Sequence, residues 1–324
     1  MSTDIWVLSD NRVGNANQAI ALAEELGLSY EVKNVKYNIF GNLPNFIFAL
    51  RPIHIKSTTF KQFDFSSPPR IIISSGRRTA PLALYLKRRL NGKVKIIQIM
   101  KPDSALNNFD LVVLPQHDNL AQSMPNVART IGALSNIRVK LDIRRDELRK
   151  HYPEVKNFIA VIIGGDSKNY KFSDASAADF CKYLSKVSDN HSTPLFISFS
   201  RRTSASVQKI IRNNFSWPHV IYDPSEPRPN PYFVMLSQAE FVISTADSIS
   251  MCSEAGSSGK PLYIFCPADF TLKKHRFFIQ QLLDLGIARK FDESTVFLEK
   301  YSYQPLNEVK KIAEIIKSQI LSLH

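Results

Sequence analysis

Short, almost wholly apolar runs alternating with amphipathic stretches constrain the fold of this chain more than any other feature. The first half carries such runs at 5–9 (IWVLS), 30–37, 70–75 (RIIISS), 94–100 and 110–115. The second half carries them at 158–165 (FIAVIIGG), 194–200, 219–223, 240–245 and 261–265. Helical patterns fall between them at 18–26, 80–90, 173–187, 204–215, 230–239, 248–257 and 273–285, with a last amphipathic stretch near 305–320. Strands that are apolar on both faces and separated by helices belong to parallel sheets covered on both sides. The strand–helix register restarts near residue 155, after the charged stretch 144–157. The expectation is therefore an α/β protein of two Rossmann-like domains with parallel sheets and a ligand cleft between them. The boundaries expected are 1–150 for the first domain, 151–304 for the second, and 305–324 for a helix leaning back on the first.

Length agrees, since 324 residues exceed one ordinary core. The opening residues lack a basic stretch followed by a long apolar one, so no secretory signal is expected. No run approaches the ~20 apolar residues of a membrane-spanning helix. Cys181, Cys252 and Cys266 are odd in number and widely spaced, which fits buried thiols in a reducing cytoplasm rather than a disulfide frame or zinc site. Charge is uneven. Residues 1–150 hold 22 Lys and Arg against 12 Asp and Glu, whereas the remainder hold 20 against 17. A basic first half favours anionic partners such as phosphates or an acidic lipid surface. Nucleic acid is not expected, because no recognition motif is present.

Several segments at strand ends carry candidate chemistry. In 240–265 (EFVISTADSISMCSEAGSSGKPLYIF) a buried strand ends at Thr245. Ala246, Asp247 and Ser248 turn the chain into a helix carrying Ser250, Met251 and Glu254. Asp247 or Ser248 is a suitable N-cap, and the N–H groups behind it form an anion site. In a nucleotide-sugar enzyme that site would hold the diphosphate and Glu254 the ribose hydroxyls. Equally, the residues could merely cap and solvate a helix. Gly165, Asp166 and Ser167 follow the first strand of the second half, and Gly165 would let backbone approach a ligand. Arg201, Arg202 and Thr203 follow the next, where guanidinium forks suit phosphate. Asn230 and Tyr232 open a further helix. In the first half, the loop 8–18 offers Ser9, Asp10, Arg12, Gly14, Asn17 and Gln18. A weak echo of the Arg-Arg-Thr element offers Gly76, Arg77, Arg78 and Thr79. His117 and Asp118 end another strand as a candidate base and its orienter. The dinucleotide, P-loop and nucleophile-elbow patterns are all missing, as is D-x-D, so no metal is expected.

Taken in order, LSDNRVGNANQ, SSGRRTAPLALYLKRR, IIQIMKPD, FDLVVLPQHD, IGAL, IIGGDSKNY, SRRTS, the segment 230–265 and LGIARKF span almost the whole chain. Together they resemble the family named for the plant mitochondrial-fission factor ELM (elongated mitochondria). That family is similar to GT-B glycosyltransferases, notably those that act on lipid acceptors. The resemblance implies a GT-B fold and a metal-independent sugar transfer from a nucleotide sugar, with UDP one candidate carrier and no further cofactor. The second domain would bind the donor, and the first would hold the acceptor, with Asp10, His117 and Asp118 as candidate bases. A sugar-nucleotide epimerase and a non-catalytic scaffold are the alternatives. Asn11, Val13, Asn15 and Ala16 depart from the family's first loop (S-D-G-R-P-G-H-E-N-Q), and Gln116 replaces its glutamate. These changes bear on catalysis more than on nucleotide binding. The apolar run Phe40, Leu43, Phe46, Ile47, Phe48, Leu50, followed by the cations Arg51, His54 and Lys56, suggests a cytoplasmic protein touching the inner face of an anionic membrane.

Overall fold

The computed structural model describes residues 3–10, 12–42, 48, 52–118, 123–137, 150–153, 157–214 and 219–322. Two compact units emerge, one of residues 1–136 with 307–324 and one of residues 137–306. Most of the charged stretch 144–157, where the sequence places the boundary, lies outside the described residues.

In the first unit, strands β1 (Ile5–Ser9), β2 (Tyr30–Asn34), β3 (Ile71–Ser75), β4 (Lys95–Ile99), β5 (Leu111–Pro115) and β6 (Val127–Thr130) form one sheet. It is wholly parallel, in the order β2-β1-β3-β4-β5-β6. Alternation along β1 divides the core. Ile5 and Val7 face α1 (Val13–Leu26), whereas Trp6 and Leu8 face the side covered by α3 (Ala80–Arg89). A short helix α2 (Ser57–Phe60) lies between β2 and β3 in the chain.

The second unit holds β7 (Ile159–Ile163), β8 (Leu195–Phe199), β9 (His219–Tyr222), β10 (Phe241–Thr245), β11 (Leu262–Phe265) and β12 (Ala288–Lys290). Its order is β12-β11-β10-β7-β8-β9, again parallel throughout. Counted from β7, this is the 3-2-1-4-5-6 arrangement of a doubly wound nucleotide-binding sheet. The helices are α4 (Asp174–His191), α5 (Ala205–Asn213), α6 (Tyr232–Gln238), α7 (Ile249–Ser257) and α8 (Lys273–Asp284). The fold is therefore GT-B-like, with two Rossmann-like units. Cys181 and Cys252 are buried as expected, but Cys266, just past β11, is partly exposed.

Helix α9 (Glu308–Ile316) belongs to the first unit. Val309, Ile312, Ala313 and Ile316 are buried with Ala19, Leu22, Ala23 and Leu26 of α1 in one core. Glu308, at its first turn, is buried and accepts the Ile131 N–H at 3.0 Å. Burial raises its pKa, against the lowering effect of that hydrogen bond and of Lys311. Ionising it thus costs more in the folded chain than in the unfolded one. Stability should decline as pH rises from the ordinary value of 4.5 through the raised folded value. Glu308→Gln keeps an acceptor for Ile131 and should flatten that decline, as read from urea midpoints across the weakly acidic to neutral range.

Candidate functional site

A parallel sheet whose chain leaves in opposite directions from two adjacent strands opens a crevice at their carboxyl ends, where ligands bind. In the second unit those strands are β7 and β10, and in the first β1 and β3.

Beyond β7 and β10 the diverging backbone leaves N–H groups without ladder partners, and buried groups of this kind must be satisfied. Asp247, 5% exposed, satisfies them. Its Oδ2 accepts the Gly165 N–H at 2.7 Å and a guanidinium N–H of Arg202 at 3.1 Å. Its Oδ1 accepts the Thr245 hydroxyl at 2.6 Å, while Thr245 Oγ1 takes the Gly164 N–H at 2.8 Å. Arg202 also donates to the carbonyls of Gly165 (3.2 Å) and Asp166 (3.0 Å). The hydroxyls of Ser200 and Thr203 donate to the Gly164 carbonyl. A Cβ on Gly164 would overlap the Asp247 carboxylate, and one on Gly165 would overlap the Arg202 carbonyl.

Several of the expected site residues have partners within this knot. Gly165 is glycine because β7 and β8 loops touch there, so its space is taken by backbone rather than by a ligand. The polar atoms of Thr245 and Asp247 are engaged inside the unit. Ser248, not Asp247, caps α7 by accepting the Met251 N–H at 3.4 Å. Asp166 Oδ1 ties down its own turn through the Phe172 N–H at 3.1 Å.

Other expected residues lie outside the knot. Arg201 and Ser167 are exposed, and Ser248, Ser250 and Met251 are half-buried at the start of α7. Glu254, farther along α7, accepts the Tyr232 hydroxyl at 2.6 Å, and Asn230 Oδ1 holds the Tyr232 N–H at 2.9 Å. Burial, then the Glu254 charge, pushes the Tyr232 phenol well above its ordinary pKa, so it stays a donor. His275, in the first turn of α8, was not legible in the sequence, because KKHRFF reads only as an amphipathic helix. It bonds to the Asp247 backbone. Burial lowers its pKa against the raising effect of Asp247.

In the first unit, Asp10 is 8% exposed and accepts the Arg12 N–H at 2.9 Å, beside the end of β1 formed by Ser9. Gly76, at φ +79°, would carry a Cβ within 2.5 Å of Asn15, so the β1 and β3 loops touch. Thr79 is buried and bonds back to the Ser75 carbonyl at 2.9 Å. Gln18 spans Gly14 and Leu134. These two are structural, whereas Arg12 and Asn17 are exposed, and Arg77 and Arg78 half-buried. His117 and Asp118 follow β5, three strands from β1, or about 14 Å at ordinary spacing. Asp10 and the His117–Asp118 pair therefore form no single constellation. Arg129 holds that turn through the carbonyls of Gln116 and Asp118.

Because Gly164 has no room for a methyl group, Gly164→Ala should destabilise the chain by about 3 kcal/mol or more. Urea unfolding would register this. A near-neutral effect would mean that the Asp247 knot is not formed.

Comparison with known proteins follows the same fold. The chain is 45% identical to an uncharacterized protein of Rickettsia prowazekii (strain Madrid E), with 97% of this chain and 98% of that protein covered. It is 29% identical to the mitochondrial fission protein ELM1 of Arabidopsis thaliana, over 78% of this chain and 64% of the plant protein. The UDP-GlcNAc 2-epimerase of Methanocaldococcus jannaschii superposes with a TM-score of 0.64 at 10% identity, covering 97% of this chain and 99% of that one. The family model for mitochondrial fission ELM1 matches residues 13–320, and the chain belongs to that family.

Proposed function

We propose that this chain binds a nucleoside-diphosphate sugar at the carboxyl edge of the second unit's sheet and transfers the sugar to an acceptor. The observation that carries the reading is the β7/β10 switch point in a 3-2-1-4-5-6 sheet, with the start of α7 and Arg201 beside it. The diphosphate would take N–H groups at the α7 N-terminus and the Arg201 guanidinium, which together stabilise a leaving diphosphate. Arg202 would act from behind, by holding the two loops in place. The Glu254–Tyr232 pair would receive the ribose hydroxyls. The named substrate of the Methanocaldococcus enzyme supports a UDP-sugar as the first donor to test. Product analysis separates the rivals: a transferase releases UDP only with acceptor present, an epimerase isomerises the sugar, and a scaffold binds without turnover.

A thermal-shift screen against UDP-, GDP-, ADP- and CMP-sugars comes first, followed by calorimetry on the best ligand. Arg201→Ala should weaken it by roughly 1.5–3 kcal/mol. Glu254→Gln should weaken nucleotides that carry a ribose and leave pyrophosphate unchanged. Unchanged affinity in both variants removes the site.

On the partner side, we propose contact between the first unit and an anionic membrane surface. No helix among the described residues is long and apolar enough to cross a membrane. Ile39, Phe40 and Ile53 are 88%, 43% and 53% exposed, with Lys36 and Lys56 exposed beside them in sequence. Asn38 donates to the Ile53 carbonyl at 2.7 Å, so the two apolar stretches are tied together. Two residues of the expected surface are corrected. Phe48 is buried, and His54 is buried against it at a ring distance of 4.0 Å, too dry to be a surface cation. Leu43, Phe46, Ile47, Leu50 and Arg51 lie outside the described residues. Anionic vesicles should pellet the protein at low salt, neutral vesicles should not, and Ile39→Glu should abolish pelleting. Failure to pellet with anionic vesicles at low salt would point to a soluble acceptor.

A further inference from the structure

The loop after β7 carries an aromatic donor that the nucleotide site proposed above leaves without a role. This loop, residues 164–173, folds on itself. The Ser167 N–H donates to the Tyr170 carbonyl at 2.8 Å, and Asp166 Oδ1 accepts the Phe172 N–H at 3.1 Å. In the sheet, β10 lies between β7 and β11. The loops that follow β7 and β11 are nevertheless joined. The Tyr170 ring meets the buried ring of Phe270 edge to face, with centres 4.7 Å apart. The hydroxyls of Ser173 and Ser176 donate to the two carboxylate oxygens of Asp269, each at 2.9 Å. The two loops therefore meet across the carboxyl end of β10, where Asp247 leaves the strand.

The Tyr170 hydroxyl is the informative atom. The residue is 7% exposed, and its hydroxyl makes no hydrogen bond among the described residues. A largely buried hydroxyl left unpaired is costly, and proteins seldom keep one without a use. Burial raises its pKa first, followed by Asp247, Asp269, Cys266 and Asp166, so it stays an O–H donor. Every group that acts on it is acidic. His275 packs edge to face on Phe270 at 5.9 Å, and burial lowers its pKa, so it is neutral and adds no cation. An anion brought to this hydroxyl would meet carboxylates of its own sign. A neutral hydroxyl group fits, because it can accept from the phenol and donate to a carboxylate. Asp247 is already paired with Arg202, whereas Asp166 and Asp269 have lone pairs to spare after the bonds just given.

Given the nucleotide site of the second unit, on which this inference rests, we propose that its donor carries a neutral sugar lying against Tyr170. The Tyr170 hydroxyl donates to one sugar hydroxyl, and the carboxylates of Asp166 and Asp269 accept from others. A sugar bearing a carboxylate is disfavoured by the same two residues.

Calorimetry on the full chain with UDP, UDP-glucose and UDP-glucuronate tests this. Tyr170→Phe removes only an oxygen without a partner in the fold, so the thermal midpoint of the unliganded protein should be kept. UDP-glucose should bind several-fold more weakly to this variant, as loss of one neutral hydrogen bond requires, and UDP should bind as before. The unaltered chain should prefer UDP-glucose to UDP-glucuronate by about tenfold or more. Asp166→Asn keeps an acceptor for Phe172 but removes a charge, and should narrow that preference. The proposal is overturned, with the nucleotide site left standing, by unchanged UDP-glucose affinity in Tyr170→Phe or by an equal loss for UDP. A preference that is absent, or indifferent to Asp166→Asn, overturns it too. Failure of all three probes to bind overturns the nucleotide site and this proposal with it.

Discussion

The buried Asp247 carboxylate is the interaction on which the carboxyl edge of the second unit's sheet depends. A parallel sheet creates a crevice only by letting neighbouring strands diverge, and divergence strands the N–H groups of Gly164 and Gly165. One carboxylate, with Thr245 as relay, answers both and fastens Arg202 at the same time. The crevice therefore has a rigid floor made from three strand ends. Arg201 and the start of α7 lie outside that floor, whereas Asp247 and Thr245 are built into it.

The first unit meets the same topological demand differently. Asp10 ties only its own loop through the Arg12 N–H, and the β3 loop is fixed by Thr79 and by glycine at Gly76. No buried ion pair joins the two loops among the described residues. Arg78 there stacks on the Tyr37 ring, and its carbonyl accepts the His54 N–H. One edge is fastened by a buried carboxylate, the other by a stacked arginine and a main-chain contact.

The central strands were legible because burial on both faces demands unbroken apolar runs, as in IIISS of β3 and IAVII of β7. The outer strands β6 (VART) and β12 (ARK) were not, since an edge strand needs neither length nor apolar continuity. Helix α2 is a single turn and leaves no periodicity to detect. At the site, the sequence pattern put Thr245 and Asp247 at the end of a strand, Arg202 after another and Glu254 on the following helix, where the structure has them. It could not separate residues that build the floor from those that face outward, because polar residue types are the same in both. Tyr37 and His54 were missed for the opposite reason. His54 was read as a cation of an exposed face and Tyr37 as the end of a strand, and only the stacked contacts show them packed against Phe48 and Arg78.

The return of α9 to the first unit has a consequence for synthesis. Its apolar face completes the core around α1, yet the ribosome makes it after every residue of the second unit. The amino-terminal sheet must then wait, with one flank of α1 uncovered, while some 170 intervening residues emerge. The second unit is contiguous and can close on its own as it emerges. Birth order and completion order are thus inverted in this chain. The exposed flank of α1 is the surface most in need of chaperone cover during translation.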